Sequence, residues 1–142
     1  MDLKVEEQST QPHAKERSSL QMTSRQDEDC MIVTCVGPSD CNNCVDTIYR
    51  PIMNKMEDSD CTGLIIDKRQ ILCSRGKKSL DRVIETILHY TNRAVLRKLA
   101  IVTTIEYKKD EQLLLETLFQ KGVNIRLFTE LEPAIVWAKA YP

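Results

Sequence analysis

Little in this sequence points to an outside partner by bulk property alone. Its 20 basic and 21 acidic residues leave a formal net charge of −1 over 142 residues. No global field therefore draws nucleic acid or a membrane surface. No apolar run approaches the ~18 residues that cross a bilayer, so no transmembrane segment is expected. The first stretch, MDLKVEEQSTQPHAKERSSL, has no apolar core and does not read as a secretory signal. The cytoplasm is the expected location, where six cysteines are thiols rather than a disulfide framework. The two histidines, His13 and His89, are distant in sequence and lack neighbouring ligands, so no metal site is expected. The fragment Gly76-Lys77-Lys78-Ser79 lacks the earlier glycine of a phosphate-binding loop, and no cofactor is expected.

What the chain does have is alternation. Residues 1–17 are polar and charged, with Leu3 and Val5 the only large aliphatics, and read as a flexible tail. Residues 18–142 then read as one domain of ordinary size. Ser19–Ser24 alternates Leu20 and Met22 with polar residues, Arg25–Asp29 is a polar break, and Cys30–Val36 is a β-prone run, so a hairpin is expected. Gly37-Pro38 is read as the end of that strand, with Ser39 or Asp40 as the cap of the next helix.

Val45, Ile48, Tyr49, Ile52, Met53 and Met56 step by three and four, which makes one apolar helix face. Pro51 inside that pattern predicts a kink or a break into two pieces. Thr62–Asp67 is a buried strand ending in a carboxylate, followed by a basic loop over Lys68–Lys78. Ser79 caps a helix with Leu80, Val83, Ile84, Ile87 and Leu88 on one face. Arg97 and Lys98 lead into a strand, Leu99–Thr104. Asp110 is read as opening a helix that carries Leu114, Leu115, Leu118 and Phe119, and Gly122 closes it. A last strand, Val123–Phe128, runs into a helix over Glu130–Tyr141, with Thr129 able to cap it and Pro133 in its first turn.

Strands joined by helices must run parallel. The fold class is therefore α/β, a mixed but mostly parallel sheet of about five strands with four helices. Trp137 reads as a packing anchor for the last helix.

The final strand and helix resemble the STAS domain of bacterial anti-sigma factor antagonists, and more closely a divergent group of small bacterial STAS-like proteins of uncharacterised function. In that group an apolar strand ends in Val-Phe and is followed by an acidic residue, an alanine and a tryptophan. Here the positions are Ile125, Leu127, Phe128, Ala134 and Trp137, with Glu130 in place of that group's aspartate. The apolar run Leu64-Ile65-Ile66-Asp67, followed by Lys68 and Arg69, and Gly37 after the second strand also match. The resemblance covers about residues 19 to 141 and implies a regulatory, non-enzymatic protein-interaction module. One departure stands out: the Asp-Ser-Ser-Gly-like motif that carries the phosphorylated serine is replaced by Cys73-Ser-Arg-Gly-Lys-Lys-Ser79. The phosphorylation switch does not carry over.

Two clusters carry candidate chemistry. Cys41-Asn-Asn-Cys44 follows a strand and opens a helix, where the helix N-terminus lowers a thiol pKa. That makes Cys41 and Cys44 the residues of a thiol redox alternative. Cys30 and Cys35 are five apart in a strand and point to opposite faces, so they do not join those two around a metal. Lys68, Arg69, Arg75, Lys77 and Lys78, with Ser79 at the helix start, form the strongest charge cluster. It follows the carboxyl end of a strand, where α/β sheets bind ligands. Free N–H groups at the helix start also favour an anion there. An acidic protein surface or a small anion is the partner expected at that loop. Asp67, with Thr103 or Thr104, could line a small polar crevice beside it. A small-ligand or lipid carrier is a further alternative, and it needs an apolar pocket. An exposed first strand would offer an edge through which two copies can pair as a homodimer.

Overall fold

The computed structural model describes residues 19–39, 44–73, 80–92 and 96–140. The tail over residues 1–17 lies outside them, as do Asp40, Cys41, Arg75, Lys77, Lys78 and Ser79.

Five strands form one sheet in the order β1-β2-β3-β4-β5: Gln21–Asp27, Cys30–Ser39, Gly63–Cys73, Lys98–Val102 and Ile125–Phe128. β1 pairs antiparallel with β2, and β2 to β5 are parallel. The hairpin turns at Glu28 and Asp29, with Glu28 at φ 57°. β1 thus runs through the stretch expected to break it. Alternation is hard to see there because β1 is mostly exposed on both sides.

A sequential parallel order fixes where the helices go. Right-handed crossovers between neighbouring strands that advance in one direction all lie on the same face. Three connections do so: a π-helical turn, Val45–Tyr49, continuing into α1, Arg50–Glu57; then α2, Leu80–Asn92; then α3, Ile105–Gln120. They pack on Met31, Val33, Cys35, Leu64, Ile66, Leu99 and Ile101 to make the main core. α4, Leu131–Lys139, comes after the last strand and covers the opposite face. There Ala134, Ile135 and Ala138 meet Cys30, Ile32, Ile65, Ala100 and Val102. Cys30 and Cys35 are buried on opposite faces, as their odd spacing predicts.

Pro51 acts as expected. The helix changes form just before it: the Arg50 N–H donates to the Val45 carbonyl, five residues back, and α1 restarts with Pro51 in its first turn. Widening the turn moves a carbonyl away from a ring that has no N–H to offer it.

Three boundaries differ from the sequence reading. β2 does not stop at Gly37-Pro38 but pairs on through Ser39 with Cys73. Gly37 allows this with φ +118°, where an added Cβ would lie 2.7 Å from the Ser19 carbonyl oxygen. α3 starts at Ile105, well before Asp110, because Thr104 is extended and begins the helix directly after β4. Ile105 is 81% exposed, which hides the helical period there. α4 begins after Glu130 without a side-chain cap, so Thr129 does not serve that role. The other end of α3 matches the expectation. Gly122, at φ +93°, donates its N–H to Phe119 and Val123 donates to Leu118, which satisfies the last carbonyls.

Candidate functional site

The carboxyl end of β3 is where the basic cluster was expected as a loop. Residues 68–73 are instead strand. β3 pairs with β4 only from Gly63 to Asp67, but with β2 as far as Cys73. The register slips between Thr34 and Val36, so Thr34 faces Asp67 and Val36 faces Gln70. That bulge sets Lys68 and Arg69 of β3 against Cys35 alone; strand alternation carries through both, Lys68 onto the face of Leu64 and Ile66 and Arg69 onto the face of Ile65.

Lys68 turns into the main core. Its side chain is 9% exposed and its ammonium is held by the Glu111 carboxylate from α3. Nζ also donates to the Tyr49 hydroxyl at 2.9 Å. Burial pulls the lysine pKa down, but Glu111 and Tyr49 more than offset this and hold it well above its usual value. Burial likewise drives the Tyr49 phenol upward, against the lowering effect of Lys68. Lys68 is thus removed from the anion-binding surface expected of it: its charge is already matched inside the fold. Glu111 does not stand out in the sequence because it sits in the polar run Lys108–Gln112, which reads as a solvated helix start.

Arg69 turns to the other face and clamps Asp67. Oδ1 of Asp67 accepts from the Arg69 backbone N–H at 3.1 Å and from Nε at 2.9 Å, and Oδ2 accepts from Nη2 at 2.8 Å. The hydrogen bonds to Asp67 raise the Arg69 pKa. Asp67 is buried and anchors the bulge, so it offers no free acid for catalysis. Thr103 is buried, and the buried Thr104 hydroxyl oxygen has no hydrogen-bond partner among the described residues.

Past Asp67 β3 runs beyond β4, and from Gly37 onward the β2–β3 ribbon also runs beyond β1. Val36 and Leu72 lie on its α4-side face, opposite the buried Cys35 and Ile71, and are 41% and 68% exposed. The ribbon leads directly into the segment that holds Arg75, Lys77, Lys78 and Ser79, which is outside the described residues.

Cys30, Cys35, Cys44 and Cys61 are buried thiols. Cys44 is buried at the start of the helical turn, and Cys41 is outside the described residues. Burial pushes the Cys35 thiol up to about 11. Burial, and after it the charge of Asp29, does the same for Cys30. Thiols so placed are protonated and unreactive at neutral pH. No cluster of three or more metal-ligating side chains occurs among the described residues. None of their helices is long and apolar enough to cross a membrane. An open cleft of about 150 Å³ lies between β1 and α1. It is smaller than the ~300 Å³ that small-molecule sites usually need, so it lends the carrier alternative no support.

No family model and no curated protein matches this sequence. Solved structures do share its architecture. One is an anti-sigma factor antagonist from Mycobacterium paratuberculosis, 12% identical, with a TM-score of 0.58 over 87% of this chain and 97% of that one. Another is an uncharacterized protein of the DUF3478 family with a SpoIIAA-like fold from Shewanella loihica PV-4, also 12% identical, with a TM-score of 0.53 over 84% and 93% of the two chains. At this identity the likeness establishes the fold.

Proposed function

We propose that this STAS-like domain is a non-enzymatic regulatory module that binds an acidic protein surface at the end of the β2–β3 ribbon. The observation that carries the reading is the ribbon itself. β3 outruns β4 and lifts Val36 and Leu72 into solvent beside the start of the basic segment. An apolar pair on a ribbon whose sequence continues into Arg75, Lys77 and Lys78 suits a partner with an acidic rim around an apolar contact. The clamp of Arg69 on Asp67 makes the base of the ribbon rigid, which lowers the ordering cost of binding. The solved anti-sigma factor antagonist adds an analogy of fold, and such analogy is a weaker support than the surface.

The test is a quantitative pull-down from native lysate, comparing the natural sequence with Leu72→Asp and with Lys77→Glu/Lys78→Glu. All three should give the same far-UV circular dichroism. A partner lost by both variants supports this surface, and a partner captured equally by all three removes it.

A further inference from the structure

A second docking surface lies at the other side of the sheet. Among the described residues β1 ends the strand order and pairs only with β2. Its register with β2 runs unbroken from Gln21 to Asp27 and closes with Asp27 opposite Cys30. In such a hairpin the closing pair is hydrogen-bonded and the bonding alternates along the ladder. Gln21, Thr23, Arg25 and Asp27 therefore turn their backbone groups toward β2, and Met22, Ser24 and Gln26 turn theirs outward. Free edges of this kind are usually blunted by proline, a bulge or inward charge. Residues 21–27 contain no proline and no bulge.

Two of these outward-facing residues, Met22 and Ser24, border the cleft. Met22 and Ser24 share the helix-bearing face with Val33, and with Pro51, Ile52 and Lys55 they line the open space of about 150 Å³. The space is mostly apolar in its walls and has room for one aliphatic side chain. Lys55 at the rim is exposed and makes no ion pair among the described residues.

The geometry points to β1 as the docking edge for an extended acidic peptide segment that places one aliphatic side chain in this cleft. Unpaired N–H and C=O groups in a row are matched by a strand, the cleft by one apolar side chain on that strand, and Lys55 by a carboxylate two residues away on the same side. A second copy of this chain fits less well. The cleft-side residues of its own β1 would be Met22, Ser24 and Gln26, and none of them carries a charge to meet Lys55. This surface stands apart from the ribbon and does not depend on what the ribbon binds.

The probe is the acetylated, amidated peptide Thr-Glu-Thr-Leu-Thr-Glu-Thr, titrated to about 1 mM into ¹⁵N-labelled protein. Saturable shifts should centre on Met22, Ser24, Gln26 and Lys55. Replacing the leucine of the peptide by alanine should weaken binding about tenfold. Ser24→Pro removes only an outward N–H and should abolish binding with the β1–β2 ladder intact. Lys55→Glu should weaken the acidic peptide about fivefold and strengthen a peptide with lysines in place of its glutamates. That charge swap tests the idea even if Ser24→Pro does not fold. No shift at about 1 mM peptide overturns the proposal, as does equal binding to Ser24→Pro. Shifts that track protein concentration without peptide also overturn it and assign the edge to self-pairing. Lys77→Glu/Lys78→Glu should leave this binding unchanged.

Discussion

Two lysines look alike in the sequence, each beside an arginine at a strand, and the fold treats them differently. Lys68 enters the main core and meets a carboxylate, Glu111, and a phenol, Tyr49. Lys98 enters the smaller core under α4 and meets no carboxylate among the described residues. Its Nζ donates to the carbonyls of Trp137 and Ala140 at 2.8 and 2.7 Å and lies 5.0 Å from the centre of the Trp137 ring. The first cation is held by a charge, the second by the negative end of a helix and an aromatic face. A charge pair is directional between two long side chains and ties α3 to β3. Helix-end carbonyls position a whole element, so Lys98 fixes where α4 stops. Phe128 of β5 packs against the same Trp137 ring, with 5.8 Å between ring centres.

The largest way to break this contrast is at Glu111. Glu111→Ala leaves the Lys68 ammonium buried without its counter-charge and should cost about 3–5 kcal/mol in urea unfolding. The double variant Lys68→Met/Glu111→Leu removes both charges and should recover most of that loss. If the single and double variants are equally destabilised, the pair is not what Glu111 contributes.

Alkaline pH separates the faces next. Cys35 lies on the Lys68 face and Cys30 on the Lys98 face, and both thiols are raised from 9.0 to about 11. The folded state holds these protons more tightly than the unfolded state. Its stability is therefore full below pH 9 and falls as pH rises from about 9 to about 11, by roughly 2–3 kcal/mol for each thiol. The raised Lys68 pKa acts in the same direction, with stability lost above its ordinary value near 10.5. Urea midpoints at pH 8, 10 and 11 measure the slope, and Cys35→Ala and Cys30→Ala should each flatten it.

At Lys98 the expected effect is smaller. Lys98→Met keeps the aliphatic stem but leaves the Trp137 and Ala140 carbonyls without their donor, at a cost of about 1–3 kcal/mol. The loss should be local. Amide exchange should speed up in residues 131–139 before it does so in β3. Uniform loosening of the sheet would show that Lys98 supports the core rather than the helix.

Sequence patterns disclosed the apolar skeleton and missed these polar contacts, for a physical reason. Alternation and three-four spacing report which face is buried, so the strands around Ile65 and Ala100 and the helix bearing Val83 and Ile87 were legible. Gly122 was legible too, because a left-handed C-terminal residue has few substitutes. A buried lysine breaks the pattern instead of making it. Lys68 reads as part of a basic loop and Lys98 only as leading into a strand, because their partners lie 43 and 39 residues away, at Glu111 and at the Trp137 carbonyl. Strand alternation carries Lys68 onto the face of Leu64 and Ile66, but β3 continues there only beside a β2 that runs past Gly37-Pro38, and local turn chemistry argued the opposite. The basic cluster thus shrinks as a surface: Lys68 is internal and Arg69 is committed to Asp67.

The smallest expected effect sharpens the comparison most. Tyr49→Phe keeps the fully buried ring and removes only the hydroxyl that accepts from Lys68. If the ammonium is held chiefly by Glu111, the loss is that of one hydrogen bond to a charged group, about 1–2 kcal/mol. The ring also lies near the ammonium, 5.4 Å from its centroid, and phenylalanine retains that face. Combined with Glu111→Ala, the effects should not add. With the carboxylate gone, the hydroxyl is the remaining oxygen described on the ammonium, so its removal should cost more than in the natural chain. A double-mutant cycle in urea measures this coupling directly. Additive losses would show that the Tyr49 hydroxyl contributes independently of the Lys68–Glu111 pair.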